Sequence, residues 1–177
     1  MDLKVGLAEK IRRVKLLILD ADGVMTDGSI VYTDEGVELK AFNVRDGHGI
    51  KLLMRAGIGV AVITARESKV MVHRANNLGI TDLYQGRLDK AAAFDELLKA
   101  KVLNPIQTAY IGDDIIDLPV LRQAGFSVAV ADAVPEVKER VDYVTAMQGG
   151  RGAIREVAEL ILKSQGRWDE VMRRYLE

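Results

Sequence analysis

Asp20 and Asp22 close the apolar run Val14–Leu19, two carboxylates two residues apart on a turn that contains Gly23. A short apolar run bounded by such a turn reads as a buried strand, and ligands of open parallel sheets sit beyond the carboxyl ends of the strands. One carboxylate at such a point can attack or bind a metal while its neighbour handles protons. Three further polar pieces share the same placement. Thr64 follows Gly59–Ile63, Lys90 opens an Ala- and Leu-rich segment, and Asp113, Asp114 and Asp117 follow Ala109–Ile111. An acidic set without Cys or His suits a hard cation such as Mg²⁺. A Thr hydroxyl and a Lys ammonium suit phosphate oxygens. Together these groups describe phosphoryl transfer to or from a carboxylate, a reaction that needs positioning and charge neutralisation.

Each piece alone has a plainer reading. Asp22 could bond its own downstream backbone in a turn. Thr64 could cap the helix that follows it, and Asp46 precedes a helix and reads as its cap. Arg74 could be a solvated helix residue, Asp114 a capping one, and Lys90 an ordinary surface lysine. The spacing alone leaves open which of Asp113 and Asp114 binds metal. His48 and His73 lack metal-ligand spacing and read as structural or exposed.

The elements that must position these residues alternate between strand and helix, which predicts an α/β fold with a doubly wound parallel sheet. Residues 1–13 read as an amphipathic helix, 15–19 as the first strand, and 30–33 with 37–44 as a hairpin around Asp34-Glu35-Gly36. Helices are expected at 47–55, 68–78 (stopped by Gly79), 90–100, 119–124 and from Pro135, with strands at 59–63, 83–84, 109–111, 126–130 and 143–144. Helices at 154–163 and 168–176 close a single domain spanning 1–177, whose C-terminal tail covers about 148–177. Trp168, Val171, Met172, Tyr175 and Leu176 fall on one helical face, suited to packing on their own domain or on a neighbouring subunit.

Composition narrows the class. The 177 residues are 49% hydrophobic and 29% charged with a net charge of -1, a globular balance without the basic footprint of a nucleic-acid binder. The absence of cysteine excludes disulfides and thiolate chemistry. No apolar run is long enough to span a membrane and no signal-peptide core is visible, so a cytoplasmic protein with neither nucleic-acid nor membrane partners is expected.

Asp20-x-Asp22-Gly-Val, Thr64 after a hydrophobic strand, Lys90 and Gly112-Asp113-Asp114-x-x-Asp117, in this order, resemble the haloacid dehalogenase superfamily of phosphatases. Phe42–Gly47, Leu83–Gly86, Val128–Ala133 and Gly149–Ala153 further resemble its 3-deoxy-D-manno-octulosonate (Kdo) 8-phosphate phosphatase family, which serves lipopolysaccharide synthesis. Ala65 stands where that family more often has Gly.

The resemblance implies a capless, Mg²⁺-dependent homotetramer acting on an acidic sugar phosphate through an aspartyl-phosphate. It makes Asp20 the nucleophile and Asp22 the acid and base. Mg²⁺ would bind Asp20, the Asp22 carbonyl and Asp113, with Asp117 in support. Thr64 and Lys90 would hold the phosphoryl group. Asn43, Val44, Arg45, Asp46, Gly47, Lys51, Arg66 and Arg74 would face the substrate, with Arg151 on a glycine-flanked arm that in the family can reach a neighbour's site. No segment is long enough for a cap domain, and the hairpin could supply the lid through oligomerisation. A related acid such as a nonulosonate 9-phosphate is the rival substrate, and a catalytically silent scaffold of the same fold is the rival class.

Overall fold

The computed structural model describes residues 5–177. In chain order its elements are α1 (Val5–Arg12), β1 (Leu16–Leu19), β2 (Val31–Tyr32), β3 (Glu38–Leu39), α2 (Val44–Arg55), β4 (Gly59–Ile63), α3 (Lys69–Leu78), β5 (Asp82–Tyr84), α4 (Lys90–Lys101), β6 (Thr108–Gly112), α5 (Leu118–Leu121), β7 (Phe126–Ala129), α6 (Pro135–Lys138), β8 (Tyr143–Val144), α7 (Ala153–Ser164) and α8 (Trp168–Leu176). Six strands form one parallel sheet in the order β5-β4-β1-β6-β7-β8, and β2 pairs with β3 antiparallel as a separate ribbon.

Every residue of β1 is buried, as a strand covered on both faces by helices requires. Leu19 sits opposite Val62 of β4 and Ile111 of β6. The chain runs outward from β1 through β4 to β5, then returns to β6 on the other side of β1. The strand order therefore reverses beside β1, at the crevice where such sheets bind ligands. Asp20, Thr64 and Asp113 are the residues delivered to that edge. Helix α7 packs against α2 and buries Ile154, Val157, Ala158 and Ile161, an i, i+3, i+4, i+7 stripe. Gly49 lets the two helices approach, since a Cβ there would lie 3.0 Å from the Arg155 Cα.

Three readings of the sequence change. The hairpin strands are two residues each, and Val44 opens α2 instead of ending β3. The β-rich composition of 37–44 is overridden by Asn43, whose side chain accepts from the Arg45 and Asp46 backbone N–H groups and starts the helix early. Asp46 therefore lies inside the first turn of α2 and is not its cap. Residues 1–4 of the expected first helix lie outside the described residues.

Candidate active site

Lys90 organises the centre. It is 2% exposed, and its ammonium lies 2.7 Å from both Asp20 Oδ1 and Asp117 Oδ1. Burial alone works against the charge of Lys90, but the two carboxylates outweigh it and raise the lysine's pKa. Asp117 is fully occupied. Its Oδ1 also accepts from the Tyr110 hydroxyl at 2.6 Å, and its Oδ2 accepts from the backbone N–H groups of Asp113 at 3.0 Å and Asp114 at 3.3 Å. Asp117 thus holds both Lys90 and the loop after β6 in place. Burial, and then the charge of Asp117, push the Tyr110 hydroxyl well above its usual value, so it stays a donor.

Asp20 and Asp113 are left facing each other. Burial first, then Asp117, raise Asp20 to about 6, with Lys90 opposing. Burial, then Asp20 and Asp117, raise Asp113 to about 8. Among the described residues no Lys or Arg forms an ion pair with Asp113. Oxygens of Asp20, Asp113 and Asp117 lie within 4.8 Å of one another. Two crowded carboxylates with one lysine between three acids form an oxygen-only donor set short of positive charge, which fits a hard divalent cation. Gly23, at φ +91°, makes the approach possible, because a Cβ there would lie 2.1 Å from Asp113 Oδ2.

Asp22 is held differently. Its Oδ1 pairs with the Lys40 ammonium and its Oδ2 lies 3.5 Å from Arg66 Nε. The reading of Asp22 as a plain turn residue is therefore set aside: its carboxylate is gripped by two cations from other segments. Lys40 was missed in the sequence. Its side chain is only 2% exposed, and it lies 3.4 Å from Glu38, which in turn receives Arg66 Nη2 at 2.8 Å and the Ser68 hydroxyl. The signal was the Glu38-Leu39-Lys40 alternation, since charges two residues apart share a strand face. Here that face turns inward, while Leu39 and its partner Val31 are 50% and 48% exposed. Thr64 is buried and one residue beyond β4, where its hydroxyl accepts from the Arg66 N–H at 3.4 Å. It does not cap α3, whose N-cap position belongs to Ser68.

Other expected substrate residues have structural partners. The Asn43 side chain caps α2, and the Asn43 backbone carbonyl accepts from Arg74 Nη2 at 3.3 Å. The Arg74 guanidinium lies over the Phe42 ring, 5.2 Å from its centroid, and fills the space that glycine leaves at position 47. Asp46 is buried and reaches across to α7, accepting from Gly152 N at 3.1 Å and Arg155 N at 2.8 Å. Burial pushes its carboxyl up while those N–H groups oppose the shift. Val44 and Arg45 are exposed. Lys51 is not brought to the Asp20 cluster; its ammonium lies beside Gly79 at the far end of α3. Arg151 is exposed and pairs with Asp27 at 2.9 Å. The glycines before it lie flat on the Asp20 loop, and a Cβ on Gly149 would lie 1.7 Å from the Gly23 carbonyl.

A capless parallel α/β sheet carrying these carboxylates beyond its central strands defines the class. Residues 66–156 match the family model of haloacid dehalogenase-like hydrolases. More narrowly, the chain belongs to the 3-deoxy-D-manno-octulosonate 8-phosphate phosphatase family. It is 55% identical over 157 residues to that phosphatase from Yersinia pestis, covering 89% of this chain and 84% of the relative. It is 52% identical over 161 residues to the Escherichia coli phosphatase, covering 91% and 86%. The crystal structure of the Moraxella catarrhalis phosphatase, in complex with a magnesium ion, a phosphate ion and a Kdo molecule, superposes with a TM-score of 0.93 at 41% identity, covering 96% of this chain and 97% of that one.

Proposed function

We propose that this chain is a single-domain Mg²⁺-dependent phosphatase that hydrolyses Kdo 8-phosphate to Kdo and phosphate, a step of lipopolysaccharide precursor synthesis. The observation that carries this reading is the buried Asp20 facing the half-buried Asp113 beside Lys90, with Asp22 two residues on. The family relatives name the substrate, and the Moraxella structure holds Mg²⁺, phosphate and Kdo together.

Asp20, the Asp22 carbonyl and Asp113 would hold the Mg²⁺, which when bound neutralises phosphate charge. Asp20 attacks phosphorus through a carboxylate oxygen, and the bond to the sugar oxygen breaks. The sugar alkoxide is a poor leaving group and takes a proton from Asp22. Water then attacks the aspartyl-phosphate, Asp22 takes the water's proton, and phosphate leaves with Asp20 restored. Lys90 has three N–H donors. Two go to Asp20 and Asp117, which would leave the third for a phosphoryl oxygen, with the Thr64 hydroxyl as its companion. Of the basic residues, Arg66 lies beside Asp22 and suits the substrate carboxylate, which Arg can grip with two parallel bonds.

The exposed apolar face of the hairpin, Val31, Val37 and Leu39, supports a homotetramer, since unpartnered edge strands pair readily. Among the described residues no helix is long and apolar enough to cross a membrane, in keeping with a cytoplasmic enzyme. Phosphate release from Kdo 8-phosphate, a nonulosonate 9-phosphate and 4-nitrophenyl phosphate, with and without chelator, tests the reading. A strong, chelator-sensitive preference for Kdo 8-phosphate is expected. Even activity on all three would discard the substrate and keep the chemistry.

A further inference from the structure

The hairpin is tied to Asp22 by a buried cation that the reaction scheme does not use. Lys40 leaves the ribbon just after β3 and places its ammonium on Asp22 Oδ1, with its side chain 2% exposed. A lysine is removed from water this completely only when it is paired, and its second acid, Glu38, is more distant at 3.4 Å. Arg66 takes the other Asp22 oxygen at 3.5 Å and Glu38 at 2.8 Å. Ser68 donates to Glu38, and Arg66 Nη2 also donates to the Tyr32 hydroxyl at 3.4 Å. Glu38, with the hydroxyl of the otherwise exposed Tyr32, thus fastens the ribbon to the loop after β4. Fastening alone is supplied by Glu38 with Arg66 and Ser68. Lys40 adds something separate, a direct grip on Oδ1 of a carboxylate that is 22% exposed and whose other oxygen is met by Arg66 only at 3.5 Å.

We propose that Lys40 is a positioning residue for Asp22, holding the carboxyl group in the orientation that meets the departing sugar oxygen. This rests on the reading of Asp22 as the acid–base residue. The role belongs to the step in which the leaving group takes its proton, so it depends on the leaving group. A sugar alkoxide needs the proton, whereas 4-nitrophenolate departs without it.

The experiment compares kcat/KM on Kdo 8-phosphate and on 4-nitrophenyl phosphate, at saturating Mg²⁺, for wild type, Lys40→Met, Lys40→Arg, Asp22→Asn and the double variant Lys40→Met/Asp22→Asn. Lys40→Met is expected to lower kcat/KM on Kdo 8-phosphate by about 10–10²-fold, below the roughly 10²–10⁴-fold contribution of the acid itself. On 4-nitrophenyl phosphate the loss stays under about threefold, Lys40→Arg recovers most of the sugar-phosphate rate, and Lys40→Met costs nothing further in the Asp22→Asn background, because groups that act as a unit are non-additive. Equal losses on both substrates, or a full additional loss in the Asp22→Asn background, would overturn the proposal. Lys40→Gln supplies the same comparison should the Met variant melt early. If Asp22→Asn itself fails to separate the two substrates, the reading of Asp22 is at fault, and that result is visible before Lys40 is touched.

Discussion

Lys90, Asp117, Asp20 and Asp113 form one charged unit, and its weak point is a single residue. Asp117 accepts four hydrogen bonds, from Lys90, Tyr110 and two backbone N–H groups. Asp117→Ala would leave a buried hydroxyl and two backbone N–H groups without their acceptor and Lys90 with Asp20 alone, and an unsatisfied buried polar group typically costs about 1–3 kcal/mol. Urea denaturation should show a loss of that size, with activity gone. A loss typical of surface substitutions, within about 0.5 kcal/mol, would mean water replaces the carboxylate.

The raised carboxyls make a second prediction at this scale. Asp20 at about 6 and Asp113 at about 8 both bind protons more tightly folded than unfolded. Their contribution to stability is therefore full below the unfolded carboxylate value, near 3.8, and is lost as pH rises through about 6 and then about 8. Metal-stripped protein should thus lose stability from pH 4 to pH 8 on account of this pair, and Mg²⁺ should abolish the decline. A metal-stripped protein whose stability rises steadily over that range, with or without Mg²⁺, would contradict the assignment.

At the level of the element, Asp46 joins two helices that lie far apart in the chain. It sits in the first turn of α2, yet it accepts the N–H groups of Gly152 and Arg155 at the start of α7. Asp46→Ala should destabilise by about 0.5–2 kcal/mol, the usual range for a lost helix cap, while Asp46→Asn, which keeps one acceptor oxygen, should lose less. Equal losses in thermal denaturation would show that burial and not capping sets the cost.

This contact also marks the limit of what the sequence discloses. Asn43 and Asp46 both read as polar residues ahead of a helix, and only tertiary structure separates a local cap from one that serves residues more than a hundred positions away. The central strands were legible because their burial writes itself into continuous apolar runs, and Gly59–Ile63 falls where the pattern places it; the short edge strand Tyr143–Val144 also falls where expected, though it is not buried. The short ribbon was less so, because Val37–Val44 is β-rich by composition but is governed by the cap at Asn43. Lys40 stayed hidden because a lysine on a short strand ordinarily faces water.

For the whole molecule, the ribbon has two unlike faces. Glu38 and Lys40 bind inward to the site, while Val31, Val37 and Leu39 stand in solvent at 48%, 55% and 50% exposure. In the proposed tetramer the outer face is the contact, so subunit assembly and the orientation of Asp22 are properties of one ribbon. Leu39→Lys with Val31→Lys should give a smaller species in sedimentation velocity and a reduced rate on Kdo 8-phosphate. An unchanged sedimentation coefficient would move the interface elsewhere.

The central claim is that Asp20 carries the phosphoryl group between substrate and water. Rapid acid quench during turnover of Kdo 8-phosphate bearing radiolabelled phosphate tests it most directly. Label should appear on the protein at Asp20 in wild type and be absent from the folded, inactive Asp20→Asn variant. Label at another residue, or full turnover by Asp20→Asn, would contradict the account.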